Sequence, residues 1–216
     1  MRTSILITLI SIFLFSCSKD RITASGDKIT ETRTPGEFRG VFSSGSSNVH
    51  VTYGDEYKVV LKGSDNLIPY FKTKIVSNHL YLGYERVSIR HDDIEVFVTL
   101  PRLDRASLSG SGSLQVSGQF PAQNELRASI SGSGDILVRD QIDYDEVNID
   151  ISGSGKADLE KVRTEEADID ISGSGDARIT VYDELKARIS GSGKIYYKGN
   201  PTIDSKISDS GKVIKL

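Results

Sequence analysis

The chain has 216 residues, with 27 Lys plus Arg against 30 Asp plus Glu, one Cys, one Met and no Trp. A net charge of -3 supplies no basic field for nucleic acid, and a single Cys excludes an internal disulfide. Twenty Gly and 29 Ser are a linker-like share, yet 37% hydrophobic residues in regular placement exclude simple disorder.

Residues 1-16 read as a lipoprotein signal peptide. Arg2 is the positive n-region, and Ile5 to Phe15 is apolar but too short to span a bilayer comfortably. The run ends at Leu14-Phe15-Ser16-Cys17, which resembles the lipobox of bacterial lipoproteins and implies acylation of Cys17. Acyl chains bury many CH₂ groups at about 0.8 kcal/mol each, so such an anchor is effectively permanent. Ser18 follows the Cys, so the inner-membrane retention signal of enteric bacteria is absent. An outer membrane lipoprotein is expected, facing the periplasm or the cell surface. The alternative is an ordinary cleaved signal peptide with an incidental Cys.

Residues 17-35 are polar without sustained periodicity and are expected to form a flexible tether behind the lipidated Cys17. Residues 36-104 read as an N-terminal β block. Val49 to Tyr53, Gly54-Asp55 and Tyr57 to Leu61 predict one hairpin. Phe71 to Val76, Ser77-Asn78 and Leu80 to Leu82 predict a second, and Ile94 to Leu100 a further alternating strand ended by Pro101. No segment sustains a helical period, so the chain is all-β.

Residues 105-216 carry a repeat continuous with that block. Six tetrapeptides, Ser-Gly-Ser-Gly five times and then Ser208-Asp209-Ser210-Gly211, hold 11 of the 20 Gly and 12 of the 29 Ser. Their starts are spaced 22, 21, 20, 18 and 18 residues apart, the length of one solenoid turn. Ile130, Gly132, Gly134 and Ile136 share parity, as do Ile171, Gly173, Gly175 and Ala177. An extended chain would place the apolar residues and Gly inward and Ser outward. The structural corner is then Gly110, Gly112, Gly132, Gly134, Gly153, Gly155, Gly173, Gly175, Gly191 and Gly193. The candidate exposed ladder is Ser109, Ser111, Ser131, Ser133, Ser152, Ser154, Ser172, Ser174, Ser190 and Ser192. Asp209, at a Gly position, marks the last copy as a cap. A parallel stack puts Ile on Ile and Gly on Gly; the alternative is an antiparallel meander or prism with each tetrapeptide at a hairpin tip.

Taken together with Phe42-Ser43-Ser44-Gly45, Gly54-Asp55, Val59 to Leu67 and Leu80-Tyr81-Leu82, these units resemble the auto-transporter adhesin head GIN domain family, over about residues 36 to 216. The resemblance implies a right-handed parallel β-helix of the pectin-lyase-like kind, an envelope address, an adhesive role and no assigned catalytic residues.

Chemistry-bearing patterns are sparse. No tetrapeptide Ser has Gly two residues before and two after it, as a nucleophile elbow requires, and His50, His79 and His91 all lie upstream of the tetrapeptides. No catalytic residue is expected. Asp135 and Asp176 follow their tetrapeptides, but Ser113, Lys156, Lys194 and Lys212 at equivalent positions oppose a calcium ladder. His91-Asp92-Asp93 with Glu95 reads as a solvated turn, so neither metal nor cofactor is expected. The carboxylates are spread over turns, and Tyr144, Tyr182, Tyr196 and Tyr197 form no stripe and read as edge packing. The expected function is adhesion or surface interaction without catalysis. Alternatives are a polysaccharide-binding or degrading β-helix and a passive structural envelope lipoprotein. Expected partners are the membrane through the lipid, a glycan or protein surface ligand, and a second copy through the solenoid ends; nucleic acid is not among them.

Overall fold

The computed structural model describes residues 21–216; the segment expected to be a signal peptide and Cys17 lie outside them. The described chain forms nineteen strands and no α-helix. The first nine are β1 (Arg21–Thr23), β2 (Lys28–Arg33), β3 (Gly40–Gly45), β4 (Asn48–Tyr53), β5 (Lys58–Ser64), β6 (Phe71–Val76), β7 (His79–Tyr84), β8 (Ser88–Arg90) and β9 (Glu95–Leu100). The repeat supplies β10 (Arg105–Gly110), β11 (Ser113–Ser117), β12 (Gln123–Gly132), β13 (Asp135–Val138), β14 (Ile142–Gly153), β15 (Lys156–Gly173), β16 (Asp176–Gly191), β17 (Lys194–Lys198), β18 (Thr202–Ser208) and β19 (Lys212–Lys215).

Successive units stack in parallel, giving a β-solenoid and excluding the antiparallel meander. One ladder runs β7-β3-β10-β12-β14-β15-β16-β18. The other runs β9-β4-β11-β13, then through the first halves of β15 and β16 to β17 and β19. The tetrapeptides are the corner between the two. Like falls on like: Leu108, Ile130, Ile151, Ile171 and Ile189 form one buried column, and Leu114, Ile136, Ala157, Ala177 and Ile195 another. Each buried Ile contributes roughly 1.5–3 kcal/mol, enough to offset about 1 kcal/mol for a Gly in the same turn.

The corner forms at the Gly pairs, but the two Gly of each pair are not equivalent. Gly112, Gly134, Gly155, Gly175 and Gly193 are buried, as expected of inward positions. Gly110, Gly132, Gly153, Gly173 and Gly191 are only half-buried and take φ between 125° and 129°, so the first Gly of each pair makes the bend and does not point fully inward. The bend turns each bent Gly's carbonyl along the stack. Gly110 thereby accepts from the N–H groups of both Ser133 and Gly134, each at 3.0 Å. In the last copy Asp209 adopts the bend with φ 72° and stays exposed, which suits a terminal turn.

The N-terminal block contributes turns of the same solenoid, stacked out of chain order. β3 and β4 lie between the β7/β9 layer and the β10/β11 layer. Gly45, with φ 112°, aligns with Gly110, so Ser44-Gly45-Ser46-Ser47 is a further corner of the same kind. The expected hairpin between β4 and β5 does not form: both edges of β4 are taken by parallel partners, β9 and β11, and β9 separates it from β5. The β6–β7 hairpin does form, turning on Ser77 and Asn78 at φ 48° and 66°.

Part of the expected tether is ordered. β1 pairs with β8, and β2 lies antiparallel on β5. Arg33 explains the docking: its guanidinium donates to the carbonyls of Phe71 (2.7 Å) and Ile68 (3.1 Å) and pairs with Glu31. Ile22 and Ala24 pack on the core, which a composition-based reading of a polar segment does not reveal.

A candidate binding groove on the repeat face

On the outer face of the first ladder lies an open groove of about 870 Å³ that crosses the turns from β7 to β18. Its floor is built from two outward positions per turn, the residue before the repeat's Ile and the Ser after it. The Ser column runs Ser109, Ser131, Ser152, Ser172, Ser190 and Ser208. The column beside it runs Ser107, Ser129, Asp150, Asp170, Arg188 and Lys206. Adjacent strands repeat at about 4.8 Å, so hydroxyls and charges recur along the floor at that spacing.

The bend at the first Gly splits the expected Ser ladder. Ser109, Ser131, Ser152, Ser172 and Ser190 enter the groove, Ser109 half-buried and the rest exposed. Ser111, Ser133, Ser154, Ser174 and Ser192 fall beyond the corner, exposed and outside the lining. Ser192 there meets Ser210 across turns at 3.1 Å.

Charge in the groove is ordered by Arg188. Its Nε and Nη2 donate to Asp170 at 2.7 and 2.8 Å, and Nη2 also donates to Asp168 at 2.6 Å. The hydrogen bonds it donates to Asp170 and Asp168 hold the guanidinium still more firmly protonated than usual. Asp150 and Asp170 are register partners on adjacent strands. The turns therefore bring together carboxylates that are dispersed in sequence. The residue before the Ile carried the signal for this column, being Ser129, Asp150, Asp170, Arg188 and Lys206 in successive units; attention to the tetrapeptides alone passed over it.

One end of the groove is aromatic. Phe42 and Tyr81 stack with centroids 4.4 Å apart at 21°, beside Val76 and His79 of the β6–β7 hairpin. Such a ring pair presents an apolar platform next to polar floor positions.

The other singled-out residues lie elsewhere. Tyr144 is buried, donating to the Leu103 carbonyl (2.8 Å) and accepting from Gln123 (3.2 Å). Burial pushes its hydroxyl well above the ordinary phenol range, with the charge of Asp104 adding to the rise. Tyr197 is also buried, Tyr196 lies under Arg178, and Tyr182 is exposed. Asp92 accepts from Ser47 (2.5 Å), Tyr84 (2.7 Å) and the Ile94 N–H (3.2 Å), while Asp93 binds Ser64 and Lys28. The turn is thus a knot of hydrogen bonds, more tied than a solvated turn. His50 stacks on Phe97 at 5.0 Å. Among the described residues no His bonds a tetrapeptide Ser, and no cluster of three or more His, Cys, Asp or Glu is placed to hold a metal ion. Nor is any described helix long and apolar enough to cross a membrane.

Comparison with known proteins places this geometry. The chain is similar to the crystal structures of a putative adhesin from Bacteroides fragilis (19% identity, 90% of this chain, 100% of that one, TM-score 0.72) and one from Parabacteroides merdae (21%, 91% and 99%, TM-score 0.64). It is also similar to a putative lipid binding protein from Parabacteroides distasonis (20%, 91% and 100%, TM-score 0.59). No protein of curated function matches. The model of the family described as "Putative auto-transporter adhesin, head GIN domain" matches residues 37–201, and the chain belongs to that family.

Proposed function

We propose that the protein is an envelope-anchored, non-enzymatic adhesin-like lipoprotein that uses the groove to bind an extended polar polymer, with polysaccharide the favoured class. The groove carries this reading. An open floor with hydroxyls and charges at each strand, ending on a stacked aromatic pair, offers successive polar contacts and a ring platform to a chain laid along it. Family membership and the names of the similar adhesins support a surface role, and Cys17 supplies the proposed anchor. Arg188 ties Asp168 and Asp170 together through hydrogen bonds, an arrangement that supports a fixed binding floor over a free catalytic pair.

The test is retention on a broad glycan panel, comparing the wild type with Tyr81→Ala. Binding by the wild type and its loss in the variant support the reading; no retention on any glycan or cell surface overturns it. Protease shaving of intact cells separates adhesion from a passive structural role, since an adhesin must be reached from outside.

A further inference from the structure

The two ends of the stack are finished differently. At the β7/β9 end, β6 lies antiparallel on β7 and β5 on β9, with β2 outside β5. At the other end β18 pairs with β16 and β19 with β17, and among the described residues neither has a second partner. All of β18 is exposed. Ile203 and Ile207, each 40% exposed, continue the columns of the fully covered Leu185 and of Ile189. A free edge with apolar side chains is a template for another strand.

Thr202-Ile203-Asp204-Ser205-Lys206-Ile207-Ser208 is symmetric about Ser205 in its hydroxyl and apolar positions and opposite in charge at Asp204 and Lys206. We propose that β18 pairs antiparallel with β18 of a second copy of this chain, about a two-fold axis at Ser205. In that register Ile203 lies opposite the partner's Ile207, Asp204 opposite the partner's Lys206, and Ser205 opposite the partner's Ser205. Residues 203, 205 and 207 stay on the core side and 204 and 206 on the groove side, as the ladder with β16 requires. A slip by one residue would set core-facing positions against outward ones. A slip by two sets Asp204 on the partner's Asp204 or Lys206 on the partner's Lys206. A parallel in-register pair makes both like-charge contacts at once.

Charge argues for the second copy as occupant. Lys186 and Arg188 are paired with Glu184, Asp168 and Asp170, whereas Asp204 and Lys206 have no ion-pair partner among the described residues. Lys206 moreover sits beside Arg188, a like charge. Charges on an edge strand ordinarily discourage pairing; opposite signs equidistant from Ser205 favour the two-fold register over the two-residue slips and the parallel pair. The interface is isologous and closed, so it stops at a dimer. Lys206 lines the groove, so pairing would make the two floors one continuous sheet.

The test is sedimentation equilibrium of the full chain in detergent, as wild type, D204K, K206D and the double swap. The wild type is expected to dimerise. Each single swap turns two attractive pairs into two repulsive ones and should weaken the dimer roughly tenfold to thirtyfold, with the double swap restoring it. In a Cys17→Ala background, Ser205→Cys should cross-link under a mild oxidant while Thr202→Cys should not, because only residue 205 faces itself within disulfide reach. A monomeric wild type, a dimer indifferent to the single swaps, a double swap that fails to restore it, or cross-linking through position 202 alone overturns the proposal.

Discussion

Gly153 stacks directly on Gly132, and a Cβ at Gly153 would lie well inside van der Waals contact distance of the Gly132 carbonyl oxygen. That oxygen is already committed, accepting from the N–H groups of Ser154 (2.9 Å) and Gly155 (3.1 Å). The tetrapeptide is therefore a hydrogen-bonded corner whose first Gly is required twice, by its φ of 127° and by the backbone it rests on.

Gly153→Ala is accordingly expected to destabilise by about 3 kcal/mol or more, combining backbone strain with the carbonyl clash. Gly45 is the contrast: its φ is 112°, but nothing lies within 4 Å of a Cβ there. Gly45→Ala should cost only strain, about 1–3 kcal/mol. Thermal melts of the two variants check the order. Equal losses would mean that the stacked carbonyl contributes nothing to the requirement for Gly.

Asp209 gives the reverse experiment. It holds φ 72° without the hydrogen-only side chain that this conformation favours, and it is exposed. Asp209→Gly restores the repeat's own residue and should stabilise the last turn by about 0.5–1 kcal/mol. Hydrogen exchange at β18 and β19 is the sensitive readout, with slower exchange expected.

The repeat was legible because solenoid stacking writes the same residue at the same place in every turn: Ile130, Ile151, Ile171 and Ile189 announce their column in the sequence. Period alone does not say in which order turns stack. Ser44-Gly45-Ser46-Ser47 has the corner's geometry without its spelling, and the layer containing it is inserted between two later segments. Edge competition is equally invisible locally. Val49 to Tyr53 and Tyr57 to Leu61 have hairpin spacing, yet β9 wins the edge of β4 through a parallel partnership more than forty residues away in sequence. The groove was half legible, since outward Ser could be assigned by parity but the bend at Gly110 and its equivalents decides which Ser face the floor.

Tyr144 ties three turns together at a buried corner. Tyr144→Phe would strand the Leu103 carbonyl and one donor of Gln123 in the interior, at about 1–3 kcal/mol. The same residue sets an alkaline limit. The hydroxyl's folded pKa lies above its unfolded value near 10, so its contribution is complete below about pH 10 and falls away as pH rises beyond it. Urea melts at increasing pH should show the wild type losing stability more steeply above about pH 10 than Tyr144→Phe. Parallel slopes would remove Tyr144 from the account.

Arg188 separates binding from stability. Its ion pairs with Asp168 and Asp170 are about half exposed, where side-chain entropy and solvent screening cancel most of the attraction. Arg188→Ala should therefore shift stability by no more than about 0.5 kcal/mol. The groove would change far more, because Asp150 and Asp170 would remain on the floor with Arg188 gone from between them and Lys206. Retention of an acidic glycan should fall most and that of a neutral one least, and the difference should shrink as salt screens the exposed carboxylates. Arg188→Lys keeps the charge but loses the planar fork that binds Asp170 with two nitrogens, so it should recover the charge preference only in part. Glycan retention measured beside the thermal melt decides the matter: equal loss for acidic and neutral glycans would show that Arg188 does not set the charge of the floor.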